Sequence, residues 1–303
     1  MSRKNSILGI LLFVLVISAY AYQVPLKKWQ NNLGKPENIF SKVKADSIDK
    51  IEIIGRGERI SLAKQNQKWK YGGSKDFYAD PSAIDKVFEE LKKAASSEIE
   101  LVSNNKERKS EFGTDDSGVE VKIYQDGKPV LDFFAGKMAS DYSGSYFSFP
   151  ESAASFAVKA DLNGAFSRED WRDWTIFSSP ADKIDKIRFQ YPNREFTVEM
   201  KGGEWAGVLP EKFAVNQEKM KNILNIMSDL KASEIPEQVF AGTGLEKHLI
   251  IVQASGQGID NVLMAGQAAG GDLYYAKKGD SDNIYLISKF ARDELDKWIW
   301  QLK

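Results

Sequence analysis

Apolar and polar residues alternate along Ile51-Glu52-Ile53 and Ile60-Ser61-Leu62, with Gly55-Arg56-Gly57-Glu58 between them. A period of two predicts half-buried strands, and the intervening residues suit a hairpin tip. A third short strand is expected at Trp69-Lys70-Tyr71, ahead of Gly72-Gly73. The period then changes. Ile84, Val87, Phe88 and Leu91 fall at i, i+3, i+4 and i+7 and predict an amphipathic helix with one face on a sheet. Asp80 stands at its N-cap and Pro81 at its first position, where a missing N–H does no harm. After the charged loop 104–110, Val119, Val121 and Ile123 alternate up to Asp126-Gly127, a hairpin dipeptide, and 130–134 returns to Gly136. Residues 146–149 and 156–158 read as further strands, and 161–174 as a closing helix that carries Trp171 and Trp174.

This pattern is written twice. Ile48, Ile51, Ile60, Leu62 and Trp69 recur as Ile184, Ile187, Phe196, Val198 and Trp205 at a constant offset of 136 residues. Asn216 stands where Asp80 stood, and Met220, Ile223, Leu224 and Met227 repeat the helix face. Gly244-Leu245-Glu246 corresponds to Gly113-Thr114-Asp115, and Gly266 to Gly136. Trp298 and Trp300 match Trp171 and Trp174, the offset having fallen to 127 and 126 as loops shorten. Shared residue types at fixed spacing mean one structural unit built twice. The expected fold is therefore α+β: two tandem copies, 47–176 and 182–303, each a mainly antiparallel sheet packed by an amphipathic helix. The stretch 175–180, TIFSSP, is the expected boundary.

The N-terminus precedes both copies. Arg3 and Lys4 lead into an uncharged apolar run, 7–22, whose helix would rise roughly 24 Å; extension through Val24 approaches the lower limit for crossing a bilayer. Residues 1–24 are read as a signal anchor, with 25–46 as a juxtamembrane linker. Pro25-Leu26-Lys27-Lys28-Trp29 supports retention as an interfacial stop. Ala19-Tyr20-Ala21 supports the other reading, a signal peptide cleaved after Ala21. Either way the two basic residues favour a cytoplasmic start and an exported body on the periplasmic side of the inner membrane.

Composition narrows the chemistry. With 42 basic and 43 acidic residues, no net field draws phosphate backbones, which argues against a nucleic-acid partner. The absence of cysteine removes disulfides, thiolate metal sites and thiol nucleophiles, and a single histidine, His248, removes histidine-rich metal sites. Ser61 and Lys64 have the Ser-x-x-Lys spacing of penicillin-recognising enzymes, but that chemistry needs a helix and these lie in an alternating strand. Asp280-Ser281-Asp282-Asn283 begins like a calcium loop, yet Tyr285 and Ala291 occupy the positions of its glycine and bidentate glutamate. Asp115-Asp116 reads as a solvated loop, and His248 as a surface residue with no triad partner. Gly55 and Gly57 belong to a hairpin and make no dinucleotide fingerprint. No catalytic, cofactor-binding or metal residue is assigned. The four tryptophans 171, 174, 298 and 300 are either a partner or glycan surface or, as their repetition favours, packing residues.

The opening strand rich in lysine and isoleucine, the internal Trp69 and Trp205, and Asp80 and Asn216 before an amphipathic helix form a recognisable series. The blocks at Gly113 and Gly244, the strands ending at Gly136 and Gly266, and the tyrosine-bearing strands extend it. Together these resemble the bacterial domain-of-unknown-function family numbered 4340, although the proline that often follows the glycine block is absent at Asp116 and Lys247. The resemblance implies a membrane anchor, an extracytoplasmic α+β body and a place beside ABC-transporter permeases or the gliding-type auxiliary component. The expected role is a non-enzymatic accessory protein of such a complex, bound to a permease or auxiliary subunit. Alternatives are an exported protein binding a glycan, peptide or lipid in a cleft between the repeats, and a hydrolase with an unrecognised site.

Overall fold

The computed structural model describes residues 13–14, 37–55, 57–73, 75–140 and 143–303. The expected anchor, 1–24, apart from Phe13 and Val14, and most of the linker, 25–46, lie outside the described residues. No helix among those described is long and apolar enough to cross a membrane. The described end of the expected linker is not free chain. Ile39–Lys42 forms a 3-10 turn, and Phe40, 1 % exposed, packs edge-on against Phe133 and Phe147 at 5.4 and 5.1 Å. An apolar side chain with two aromatic partners gains more from burial than from solvation, so this segment joins the core.

In chain order the elements are β1 (Ile48–Gly55), β2 (Glu58–Gln65), β3 (Lys68–Tyr71), α1 (Pro81–Ser96), β4 (Ile99–Ser103) and α2 (Lys109–Phe112). There follow β5 (Val119–Gln125), β6 (Lys128–Met138), β7 (Ser145–Ser148), β8 (Ser155–Val158), α3 (Leu162–Phe166) and β9 (Thr175–Ser178). Then come β10 (Ile184–Tyr191), β11 (Arg194–Lys201), β12 (Glu204–Leu209), β13 (Phe213–Ala214), α4 (Gln217–Ser228) and β14 (Asp229–Lys231). The last are β15 (Ile250–Gly256), β16 (Ile259–Gly270), β17 (Leu273–Lys278), β18 (Ile284–Ser288), α5 (Lys289–Leu295) and α6 (Ile299–Leu302). The architecture is α+β with mostly antiparallel sheets, as the alternation predicts.

The chain divides into two compact units whose limits differ from those of the repeats. One holds residues up to Lys64 together with Ser82–Glu169; the other holds Gln65–Pro81 and Asp170–Lys303. The reason is visible in the burial. Phe77, Ile176 and Phe177, all 4 % exposed or less, belong to the same core as Phe189, Phe196 and Met227. The TIFSSP stretch is accordingly no turn-like boundary: its residues Thr175–Ser178 form β9, which pairs with β14.

Within the first unit the strands neighbour one another in the order β2-β1-β5-β6-β7-β8-β4. One face is buried by Ile51, Ile53, Leu62, Val121, Ile123 and Phe133, and the helix α1 buries Ile84, Val87 and Leu91. Asn38 closes the end of α1, its amide donating to the carbonyls of Ala94 and Ser97 at 2.8 and 2.7 Å. The other face is polar. Lys50 pairs with Glu52 at 2.7 Å, and Lys122 with Glu120 and Asp132 at 2.8 and 3.2 Å.

Within the second unit the order is β13-β12-β11-β10-β15-β16-β17-β18. The equivalents β2-β1-β5-β6-β7-β8 and β11-β10-β15-β16-β17-β18 thus follow the same sequence. Register repeats too: Ile51 faces Leu62 and Ile187 faces Val198, while both ladders to the following strand slip at the same point, Ile48/Lys50 and Ile184/Lys186. The close approaches repeat as well. Gly113 and Gly244 have φ of +63° and +70°, and a Cβ on Gly136 or Gly266 would collide with the backbone carbonyl of Phe112 or Thr243. Only glycine admits both the left-handed turn and the contact beneath it.

The expected closing helix 161–174 is shorter than the sequence suggests. α3 ends at Phe166, and the chain beyond it runs without helix. Its counterpart is broken in two, α5 and α6, around Asp296–Trp298.

Candidate binding surface

The second unit presents one corner where aromatic and cationic side chains reach solvent. At the tip of the β10–β11 hairpin, Arg194 lies between the rings of Tyr191 and Trp298, with centroids at 3.7 and 4.1 Å, and donates to Asp296 Oδ1 at 2.5 Å. Trp298 is 47 % exposed and Trp300, on α6, 69 %. The same helix ends beside β13, where Lys303 Nζ stands 5.8 Å from the centroid of Phe213. The Phe213 ring occupies the space that a side chain on Gly207 would fill. Two shallow recesses of ≈ 470 and ≈ 350 Å³ flank this strand, lined in part by Lys201, Lys212 and Lys303. Leu209, 56 % exposed, adds apolar surface close by.

Tyr191 anchors the corner. Its hydroxyl donates to Leu295 O at 2.7 Å and accepts from Lys297 N–H at 2.9 Å. Burial pushes its pKa from 10.0 up to about 12. A phenol whose pKa is raised on folding contributes stability that is intact below its unfolded value and is lost as pH rises through its folded one. Tyr124 and Tyr285 are also raised, so ultraviolet titration of tyrosinate absorbance is expected to show a late portion, reaching to about 12, whose amplitude falls by one tyrosine in Tyr191→Phe. A titration curve unchanged by that substitution would contradict the buried hydroxyl.

The tryptophan pairing expected from the sequence is corrected here. Asp80 N–H donates to Trp171 O at 2.8 Å, and its equivalent Asn216 N–H donates to Leu302 O at 2.7 Å. Trp171 and Leu302 are both 0 % exposed. The structural partner of Trp171 is therefore Leu302 and not Trp298. Asp161 and Ser288 cap the two helices, and Leu302 lies four residues further from its cap than Trp171 does. The extra residues throw Trp298 and Trp300 out to solvent. Trp174 is half-buried, with Nε1 donating to Asp170 Oδ2 at 3.1 Å.

A separate cleft of ≈ 740 Å³ in the second unit is lined by residues that include Lys68, Asp76, Tyr78, Asp173, Asn283 and Tyr285. Asn283, 5 % exposed, donates to Asp76 O at 3.0 Å, and its Oδ1 has no partner. The acidic stretch before it is a hairpin turn: Asp280 and Asp282 pair with Lys278 and Lys277 at 3.4 and 3.0 Å.

The remaining sequence motifs are not brought together. Ser61 and Lys64 lie three residues apart on β2, hence on opposite faces. Asp115 Oδ1 accepts from the Ser117 hydroxyl at 2.6 Å, which holds its carboxyl below the ordinary range, while Asp116 is exposed. His248 is exposed at φ +48°, ending the turn before β15, and Gly57 turns the β1–β2 hairpin at φ +83°. Among the described residues no three acidic or histidine side chains are grouped to hold a metal. The corner at β13 and α6 went unseen in the sequence, although Phe77 and Phe213 share the 136-residue offset that would have flagged it.

The molecule is thus a mostly antiparallel α+β protein whose two large sheets share the order of six consecutive strands. The model of the domain-of-unknown-function family DUF4340 matches residues 69–248, and the chain belongs to that family. No curated protein and no solved structure matches it.

Proposed function

We propose that this is a non-enzymatic, membrane-anchored extracytoplasmic accessory protein of an ABC-type transport or envelope-assembly complex, acting by protein–protein binding. The observation that carries the binding role is the exposed pair Trp298 and Trp300 beside β13, with Arg194 held between Trp298 and the buried Tyr191. Tryptophan, tyrosine and arginine are the residues in which interface energy concentrates, because each buries a large rigid area and keeps a polar handle. The apolar run 7–22 behind Arg3 and Lys4 supports the tether, and the class of complex is what the resemblance to the family implies. Purification of the full chain in mild detergent is expected to recover a permease or its ATPase. Trp300→Ala should reduce that recovery without changing the fold. Recovery of neither subunit across several detergents would remove the transporter reading.

A second reading, an exported protein binding a glycan, peptide or lipid, is favoured by the ≈ 740 Å³ cleft and the unpartnered Asn283 Oδ1. A ligand-dependent rise in melting temperature, abolished by Asp173→Asn, is its test.

A further inference from the structure

The hairpins that open the two repeats differ at one equivalent position. Gly55 ends β1 and Tyr191 ends β10, 136 residues later. Both stand just before a two-residue turn, Gly55 opposite Glu58 and Tyr191 opposite Arg194. Alternation puts Gly55 on the face of Ile51 and Ile53, and Tyr191 on the face of Ile187 and Phe189, which are the buried faces.

In the second unit the tyrosine ring closes the end of the core. It lies 6.3 Å from the Phe196 ring, its hydroxyl donates to Leu295 O at 2.7 Å, and Ile250 beside it is 2 % exposed. Gly55 brings no ring, and the first unit has a recess of ≈ 500 Å³ there, lined only by residues of that unit. Its walls are the counterparts of what surrounds Tyr191. Ile53 and Ile60 stand for Phe189 and Phe196 at the same 136-residue offset. Val119 stands for Ile250, because Ile54 pairs with Glu120 as Gln190 pairs with Ile251, and it is only half-buried. Phe166 stands for Leu295. Each ends its helix, and the N–H of the next residue donates to a carbonyl four residues back, Ser167 to Asn163 O at 2.9 Å and Asp296 to Arg292 O at 3.0 Å.

The repeat therefore shows the shape that fits: a flat ring with a hydroxyl at its far end. A Cβ on Gly55 would meet only Val119, no nearer than 3.4 Å, and the backbone there is not left-handed. The space is thus open from Gly55 inward. Its floor of Ile53, Ile60 and Phe166, each 9 % exposed or less, is apolar. At ≈ 500 Å³ the recess exceeds a single ring and has the size of a small-molecule site, about 300–1,000 Å³.

We infer that this recess binds a small aromatic molecule bearing a ring hydroxyl, that is, a phenol. Its ring lies against Ile60 and Val119, as that of Tyr191 lies against Phe196 and Ile250, and its hydroxyl donates to Phe166 O. Ring burial supplies the affinity and the carbonyl fixes the orientation. The recess belongs to the other compact unit from Trp298 and Trp300, and the inference does not depend on the role proposed above.

The test uses the full chain in detergent, isotope-labelled at its isoleucine methyl groups, with 4-hydroxyphenylacetamide as the probe. Saturable shifts of the Ile53 and Ile60 methyl resonances are expected, with a midpoint of about 1 mM or below, as suits so small a ligand. Phenylacetamide, which lacks the hydroxyl, should bind about threefold or more weakly, and acetamide should move neither methyl. Gly55→Tyr should fill the recess from within, raising the melting temperature by about 2 °C or more and removing the probe shifts. Ser117→Trp, on the exposed rim of the recess, is the second variant and should weaken the probe by about tenfold or more. No saturable shift up to about 10 mM would overturn the inference, as would undiminished binding by either folded variant. Tighter binding of an end-blocked Gly-Tyr-Gly peptide than of the probe would also overturn it, by assigning the recess to a tyrosine of a partner protein.

Discussion

Trp171→Ala is expected to lower the free energy of unfolding by about 3–5 kcal/mol, and Trp300→Ala by less than about 0.5 kcal/mol. Trp171 is 0 % exposed and Trp300 69 %, so the first substitution leaves a cavity and the second returns apolar surface to a place that water already reaches. Trp171 Nε1 is buried without a partner. Trp171→Phe therefore gives up ring area but relieves an unsatisfied donor, and it should cost less than the alanine. Urea denaturation of the three variants decides the matter. Similar losses at Trp171 and Trp300 would restore the tryptophan-for-tryptophan pairing that the sequence suggests and would remove the exposed corner as a free surface.

Gly136→Ala and Gly266→Ala should each destabilise by about 2–3 kcal/mol, near the upper range for forcing atoms into packed space. The new methyl group meets Phe112 O and Thr114 Cγ2 at 2.5 and 2.6 Å in one case, and Thr243 O in the other. Backbone carbonyls fixed by the turns at Gly113 and Gly244 cannot swing aside as a long side chain can. Gly73→Ala is the control for glycine loss alone. Its added Cβ meets only the Tyr71 ring, at an ordinary 3.6 Å, and its φ, like those of Gly136 and Gly266, is outside the left-handed region. Equal costs at all three positions, read from denaturant midpoints, would mean that the two close approaches contribute nothing beyond backbone preference.

Much of the architecture was legible because it is local. Alternation at Ile51-Glu52-Ile53 and Ile187-Arg188-Phe189 set which face of each strand is buried, and the constant spacing tied the two registers together. The helix faces at Ile84, Val87 and Leu91 and at Met220, Ile223 and Met227 are buried as their period requires. What failed was decided at long range. Residues 167–174 contain no helix breaker, yet the chain there leaves the helix to place Trp171 O and Asp173 N–H on the edge beside Asp80 and Tyr78. The Ser-Pro ending of TIFSSP reads as a turn, but Ile176 and Phe177 find a core whose other members lie far along the chain. Phe40 sits in a polar stretch with no period and is buried all the same. The corner at β13 left no motif, since its parts, Arg194, Phe213, Trp298 and Lys303, are joined only by folding. Its one sequence trace is the repeat itself, through the correspondence of Phe77 with Phe213.

The most direct test of the binding role is a photocrosslinking amino acid placed at the exposed Trp300 in cells, with the same group at the exposed Glu58 of the other unit as control. Binding through the exposed tryptophan corner predicts a dominant crosslink from position 300 to one segment of a permease or auxiliary subunit, absent from position 58. Crosslinks of equal strength from both positions, or none from either while the protein is stably membrane-bound, would contradict it.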